Sequence, residues 1–154
     1  MSKELYRDNV CAVIGPSAGD CVLICHRIGA VENEGWQFPQ GGIDPKADLI
    51  SEMKRELLEE IGNDRVAVIK IASGLYRYEY PEGASVNKRG YIGQQQRWVY
   101  ARFIDAEPQI RFDATDHHPE FDSWRWASPA EAMKLIVDFK RKVYKEALYD
   151  LDLI

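Results

Sequence analysis

The stretch GGIDPKADLISEMKRELLEEIG, Gly41 to Gly62, joins a glycine pair to one amphipathic helix. From Asp48 to Ile61 the apolar residues Ile50, Met53, Leu57 and Ile61 recur at helical spacing, and Gly62 stands where a helix stops. At about 100° per residue, Glu52, Glu56, Glu59 and Glu60 fall within roughly a quarter-turn sector, opposite Ile50, Leu57 and Ile61. Like charges one turn apart destabilise a helix by about a few tenths of a kcal/mol per pair, and Arg55 is the only cation lying between these acids. Something should compensate. Four acids on a generic helix form a solvated charged face, but here the Gly41-Gly42 approach lets a ligand reach the backbone. Clustered carboxylates are also the hard oxygen donors that Mg²⁺ or Mn²⁺ takes.

Upstream, NVCAVI (9 to 14) and CVLICH (21 to 26) are apolar runs of strand length separated by the turn-rich GPSAGD, the pattern of a hairpin. RIGAVENEGWQFPQGG reads as loop, short strand, loop. Downstream, RVAVIKIASGLYRYEYP carries one or two strands, with Tyr76, Tyr78 and Tyr80 on one face by period two, and EGASVNKRG is a loop. In YIGQQQRWVYARFI the alternation sets Trp98, Tyr100 and Arg102 on one side and Arg97, Val99, Ala101 and Phe103 on the other, with Gln94 and Gln96 on the side of Trp98. A polar linker, the short strand SWRWAS and one terminal helix follow. Ser128 is the N-cap of that helix, and Met133, Ile136, Val137, Phe139, Val143 and Leu148 are its apolar positions.

The 154 residues fit one domain, which at this size buries a core without structural metals or disulfides. With 45% hydrophobic and 29% charged residues the composition is that of a globular protein, and the net charge of -5 does not advertise general nucleic-acid binding. A nucleotide must then be met by a local basic pocket or by metal ions. MSKELYRDNV has no apolar leader core and no run approaches the length of a membrane span, so no membrane is expected and the cytoplasm is the expected compartment. Cys11, Cys21 and Cys25 are read as buried free thiols, and His117 and His118 as polar loop residues without a metal role. Trp36, Trp98, Trp124 and Trp126 are read as core or cleft wall.

Gly41 together with Arg55-Glu56-Leu57-Leu58-Glu59-Glu60-Ile61-Gly62 resembles the Nudix box, GX5EX7REUXEEXGU, where U is a bulky aliphatic residue. The REUXEEXG core matches in full, whereas the first Glu of the box falls on Ala47 and its closing aliphatic on Asn63. The resemblance implies an α/β fold, the Nudix α/β/α sandwich, in which a mixed central sheet carries the box helix on one side and the terminal helix on another. One domain would span 1–154, with the box at 41–63. It also implies hydrolysis of phosphoanhydride bonds with Mg²⁺, for which Mn²⁺ could substitute. Carried over by position, Glu56 and Glu60 are the primary metal ligands and Glu59 is a further ligand or contacts metal-bound water. Arg55 orients these carboxylates by charged hydrogen bonds, and a backbone carbonyl from Gln40 or Gly41 completes the coordination. Ala47 departs only at a supporting ion-pair position, so an active enzyme is still implied. Asp48 is a partial substitute there, and Glu52, outside the signature, is read as a solvated neighbour.

YRDNVCAVI, WQFPQGGIDP, IGQQQRWV, PEFDSWRW and VDFKRKVYKE, in this order, are similar to the bacterial RNA pyrophosphohydrolases and their dinucleoside polyphosphate hydrolase relatives within that family. This resemblance implies that Glu120 reaches the metal site from a loop opposite the helix, and the general base is left open between Glu120 and the box glutamates. Arg27, Val137 and Lys140 match positions that hold the first base and Arg7 a position that contacts the following nucleotide; Gln40 is expected at the same cleft, as are Gln94 and Gln96 by their strand alternation. The expected substrate is 5′-triphosphorylated RNA, not duplex DNA. Hydrolysis of dinucleoside polyphosphates or of nucleoside triphosphates such as GTP or dGTP is the alternative. A nucleotide-sensing domain without catalysis is the further one.

Overall fold

A strand that is apolar on both faces needs cover on both sides, and β1 (Tyr6–Gly15) has it. In the computed structural model, which describes residues 5–31, 34–81, 90–113, 119–136 and 138–154, Val10, Ala12 and Ile14 enter one core cluster and Cys11 and Val13 the other. β1 lies inside a mixed five-stranded sheet. It runs parallel to β7 (Gly93–Phe103) and antiparallel to β4 (Gln40–Gly42), while β5 (Val66–Ile71) and β6 (Tyr76–Glu79) pair antiparallel with β7. A second, antiparallel sheet orders β3 (Trp36–Gln37), β2 (Val22–Arg27) and β8 (Phe121–Ala127).

α1 (Leu49–Ile61) closes one face of the larger sheet through Met53, Leu57 and Ile61, which pack with Val99, Ala101 and Phe103 of β7. Asp48 caps its start by accepting from the Ser51 backbone N–H at 2.9 Å, and Gly62 ends it at φ 68°, a left-handed conformation that glycine takes without strain. α2 (Pro129–Leu135) and α3 (Asp138–Asp150) close the other face, where Ile136, Val143, Tyr144 and Leu148 meet Trp98, Tyr100, Tyr76 and Tyr78. The arrangement is the α/β/α sandwich, with a mixed central sheet. No helix among the described residues is long and apolar enough to cross a membrane.

Three expectations need correction. The runs at 9 to 14 and 21 to 26 do not form a hairpin: β1 and β2 lie in different sheets. Their unbroken apolarity marks interior strands rather than a two-sided ribbon, and the intervening loop turns the corner, held by Arg102 donating to the carbonyls of Pro16 at 3.0 Å and Gly19 at 2.8 Å. The terminal helix is two helices, because Ile136 adopts an extended conformation (φ -79°, ψ 143°) and its carbonyl accepts from Arg141 instead of continuing the helical ladder. Cys21 is exposed at the edge of that corner loop, whereas Cys11 and Cys25 are buried and their thiols are pushed far up by burial. The region 65 to 81 resolves into two strands, and Tyr76, Tyr78 and Tyr80 do share a face.

The α1 interface sets a stability test. Leu57 is 1% exposed and Leu58 44%, so Leu57→Ala is expected to lower the free energy of chemical unfolding by about 2–5 kcal/mol. Leu58→Ala should change it by less than about 0.5 kcal/mol.

Candidate active site

The ends of these elements open onto a cleft of about 470 Å³. α1 contributes Glu56, Glu59 and Glu60, and Glu120 enters from the segment just before β8. β4 adds Gln40, Gly41 and Gly42, β1 adds Arg7 and Asn9, and β2 adds Arg27 at a bulge between His26 and Arg27. Gln37, Tyr78, Gln94 and Lys140 close the other half.

At the acidic end, Glu56 is only 8% exposed. Burial pushes its carboxyl up to about 7, against the pull of Arg55, and Glu59 and Glu120 push it further in the same direction. Glu60 is raised as well, first by burial and then by the charges of Glu120 and Glu56, and a carboxyl hydrogen bond links it to Glu120. Gly41 is pressed against this group: a Cβ there would lie 1.8 Å from Glu56 Oε2, so only glycine leaves the carboxylate its position. Gly42 has the same relation to Arg7, whose Nη2 would be 2.2 Å from an added Cβ.

Arg55 does not line the cleft; it stands beside the acids. Its Nη1 donates to Glu59 Oε1 at 3.1 Å, and its Nη2 lies 3.2 Å from Glu56 Oε1, 3.1 Å from the Gly42 carbonyl and 2.6 Å from Glu52 Oε2. Glu52 is therefore no solvated neighbour, contrary to the sequence reading: its side chain is 17% exposed and engaged. Asp48 does not stand in for the missing box acid, because its carboxylate is taken up by Ser51 as the helix cap.

At the other end Lys140 is 7% exposed, and burial together with the Arg27 charge lowers its ammonium to about 8. Its Nζ donates to Gln37 Oε1 at 3.5 Å and lies 5.7 Å from the centroid of the Tyr78 ring. Tyr78 in turn donates to Gln94 Oε1 at 2.7 Å. Beneath, Gln96 is fully buried; its Nε2 donates to Asn9 and Gln40, and its Oε1 accepts from Trp98 Nε1. Gln96 thus lies under the cleft rather than in it, and its bonds fix Asn9 and Gln40, two of the groups that face the opening.

Of the residues singled out in the sequence, Glu56, Glu59, Glu60, Glu120, Gly41, Arg7, Arg27, Lys140, Gln40 and Gln94 meet at this one cleft. Val137, His117 and His118 lie outside the described residues. Asn9, Gln37, Gly42, Tyr78 and Tyr80 also line it and were not named as site residues. A signal for one of them was present, since Gln37 is a polar residue set between Trp36 and Phe38 in a short strand.

Among the described residues no three acidic, His or Cys side chains are already closed around a single point. The donor chemistry nonetheless fits a divalent cation: four carboxylates and glycine backbone at one cleft, all hard oxygen donors, with Glu56 and Glu60 raised by burial and repulsion that a cation would relieve.

The model of the NUDIX domain matches residues 5–147, and the chain belongs to the Nudix family. A protein of Pseudomonas savastanoi pv. phaseolicola named RNA pyrophosphohydrolase is 39% identical over 150 residues, covering 95% of this chain and 91% of that one. Among solved structures, the E. coli dihydroneopterin triphosphate pyrophosphohydrolase superposes with a TM-score of 0.68 at 17% identity, over 96% of this chain and 99% of that one. A C. elegans Ap4A hydrolase superposes with a TM-score of 0.61 at 15% identity, over 96% and 98%. At these identities the two structures speak for the fold alone. The family is one of pyrophosphohydrolases that generally use divalent metals.

The acidic cleft dictates how stability follows pH. A carboxyl whose folded pKa stands above the ordinary 4.5 holds its proton more tightly when folded, so its stabilising effect is complete below about pH 4.5 and is lost as pH rises through about 7. The metal-free protein should melt at progressively lower temperature from about pH 5 to about pH 8. Glu56→Gln should flatten that slope, and Mn²⁺ should raise the melting temperature more at the upper pH than at the lower. Thermal scans with and without the ion check all three.

Proposed function

We propose that this Nudix chain removes pyrophosphate, or phosphates in sequence, from the 5′-triphosphate end of RNA and leaves a 5′-monophosphate. The observation that carries the reading is a single cleft with carboxylates at one end and a buried lysine beside an exposed arginine at the other, a division suited to a charged phosphate chain attached to a base. The 39% identity to a protein named RNA pyrophosphohydrolase supports it.

In this reading Glu56, Glu59, Glu60 and Glu120, with the carbonyl of Gly41, would hold Mg²⁺, with Mn²⁺ as a substitute. The ions would neutralise charge on the phosphate oxygens and activate the attacking water. Arg55 keeps Glu56 and Glu59 from turning away from each other. Glu120 is our choice for the base that accepts the proton of the attacking water, because Glu59 is already engaged by Arg55 at 3.1 Å. The Arg27 guanidinium stacks on the first base, with Val137 expected on its other side, while Lys140 supplies positive charge close to it. Arg7 contacts the next nucleotide. Gln40 and Gln94 shape the floor between the two ends. The bulk charge of -5 is compatible with such a substrate, since the positive charge is local.

The test is a comparison of kcat/KM under Mg²⁺ for a 5′-triphosphate oligoribonucleotide, diadenosine tetraphosphate and GTP. The oligonucleotide should lead by about tenfold or more, a difference of about 1.4 kcal/mol in transition-state binding. Arg7→Ala should lower only the oligonucleotide rate, and Glu56→Gln should lower all three by at least about a hundredfold. Equal rates on all substrates would remove the RNA assignment, and binding of triphosphates without release of phosphate or pyrophosphate would mean a sensor.

A further inference from the structure

Arg55 is the cation that holds the box carboxylates, yet its side chain is 45% exposed and has room to swing into solvent. What opposes that motion can be read from its contacts. Nη1 is committed to Glu59, and Nη2 divides between Glu56, the Gly42 carbonyl and Glu52, with Glu52 the shortest of the four contacts at 2.6 Å. Glu52 sits one turn before Arg55 and Glu59 one turn after, so the guanidinium is bracketed along the helix axis by opposite charges. Glu52 is itself 17% exposed, which makes the pair less screened than an ordinary surface ion pair.

An acid in the first turn of a helix also stabilises the helix through its dipole. That role requires no bond to Arg55, and it predicts an effect on melting alone. The observed geometry asks more of the residue. Position 47, where the family signature has its first Glu, is an exposed Ala in this chain, and the adjacent Asp48 is used as the cap.

We infer that Glu52 is a positioning residue: it anchors the Arg55 guanidinium, which in turn sets the carboxylates of Glu56 and Glu59, and it does so in place of the acid absent at Ala47. The inference rests on the reading of this cleft as a metal-dependent pyrophosphohydrolase site. Through Arg55 the same anchor ties α1 to the Gly42 backbone, so the loop that brings Gly41 against Glu56 is held from the helix side as well.

The experiment measures Mn²⁺ binding to the purified protein by calorimetry, without substrate, together with kcat and KM on a 5′-triphosphate oligonucleotide at saturating Mg²⁺. Glu52→Ala should weaken Mn²⁺ about tenfold and lower kcat by a similar factor with KM unchanged, in the range that supporting residues of metal sites reach. Glu52→Gln, which can still accept from Arg55, should keep most of both. Adding Ala47→Glu to Glu52→Ala should recover most of the loss, whereas Ala47→Glu in the otherwise unchanged protein should do little. Wild-type Mn²⁺ affinity in Glu52→Ala would overturn the inference. Equal damage from Ala and Gln would also overturn it, by reducing the effect to net charge, as would Ala47→Glu acting by the same factor in both backgrounds. A fall in Mn²⁺ affinity in Glu52→Ala, combined with no hydrolysis by the unchanged protein, would support the role of Glu52 and reject the proposed reaction.

Discussion

Glu56, Glu59, Glu60 and Glu120 share one cleft, and two of them are buried enough that their carboxyls hold protons well above the ordinary range. Carboxylates so arranged repel one another, and their gathering is unfavourable in isolation. The surrounding fold is what enforces it. Met53, Leu57 and Ile61 bury the adjoining side of α1 against β7, which fixes the helix's rotation and holds the acids toward the cleft. β4 then brings glycine backbone, without side chains, against them. Arg55 supplies one positive charge; the remaining imbalance is the physical reason to assign a divalent cation to the site.

The other half of the cleft is built on a different principle. Its floor is held by hydrogen bonds between polar side chains, Tyr78 to Gln94, and Gln96 to Asn9, Gln40 and the Trp98 indole, so these buried polar atoms have partners. Lys140 is held among them at a cost in desolvation that lowers its ammonium toward neutrality. A basic group kept buried in this way is suited to an anionic or electron-rich ligand that stabilises its charge on binding. The acid end and the basic end are joined by the same strands, β1 and β4, so a phosphate chain spanning them would be read as a unit.

Much of this was legible in the sequence, for reasons that differ by residue. Glu56, Glu59, Glu60 and Arg55 were readable because helical periodicity converts spacing into a face, and a face of acids without matching cations stands out. Glu120, Arg7, Arg27 and Lys140 came only through resemblance, since they are far apart in the chain and topology alone unites them. The two sheets were misread at β1 and β2 because apolar runs state that a strand is buried, not which strand it pairs with. The break at Ile136 left no glycine or proline to mark it. Glu52 was misjudged for a related reason: periodicity placed it on the acid face, but only coordinates show that its carboxylate turns to Arg55 rather than to water.

Where cation and triphosphate lie in the cleft decides whether its two ends act as one site. The direct measurement is a crystal structure with Mn²⁺ and a 5′-triphosphate dinucleotide carrying a non-hydrolysable bridge, with the manganese located by its anomalous scattering. Manganese should lie between the carboxylates of α1 and Glu120, with the phosphates on it and the first base against Arg27 and Lys140. Manganese bound elsewhere, or a triphosphate seated in the cleft with its base directed away from Arg27, would contradict this arrangement.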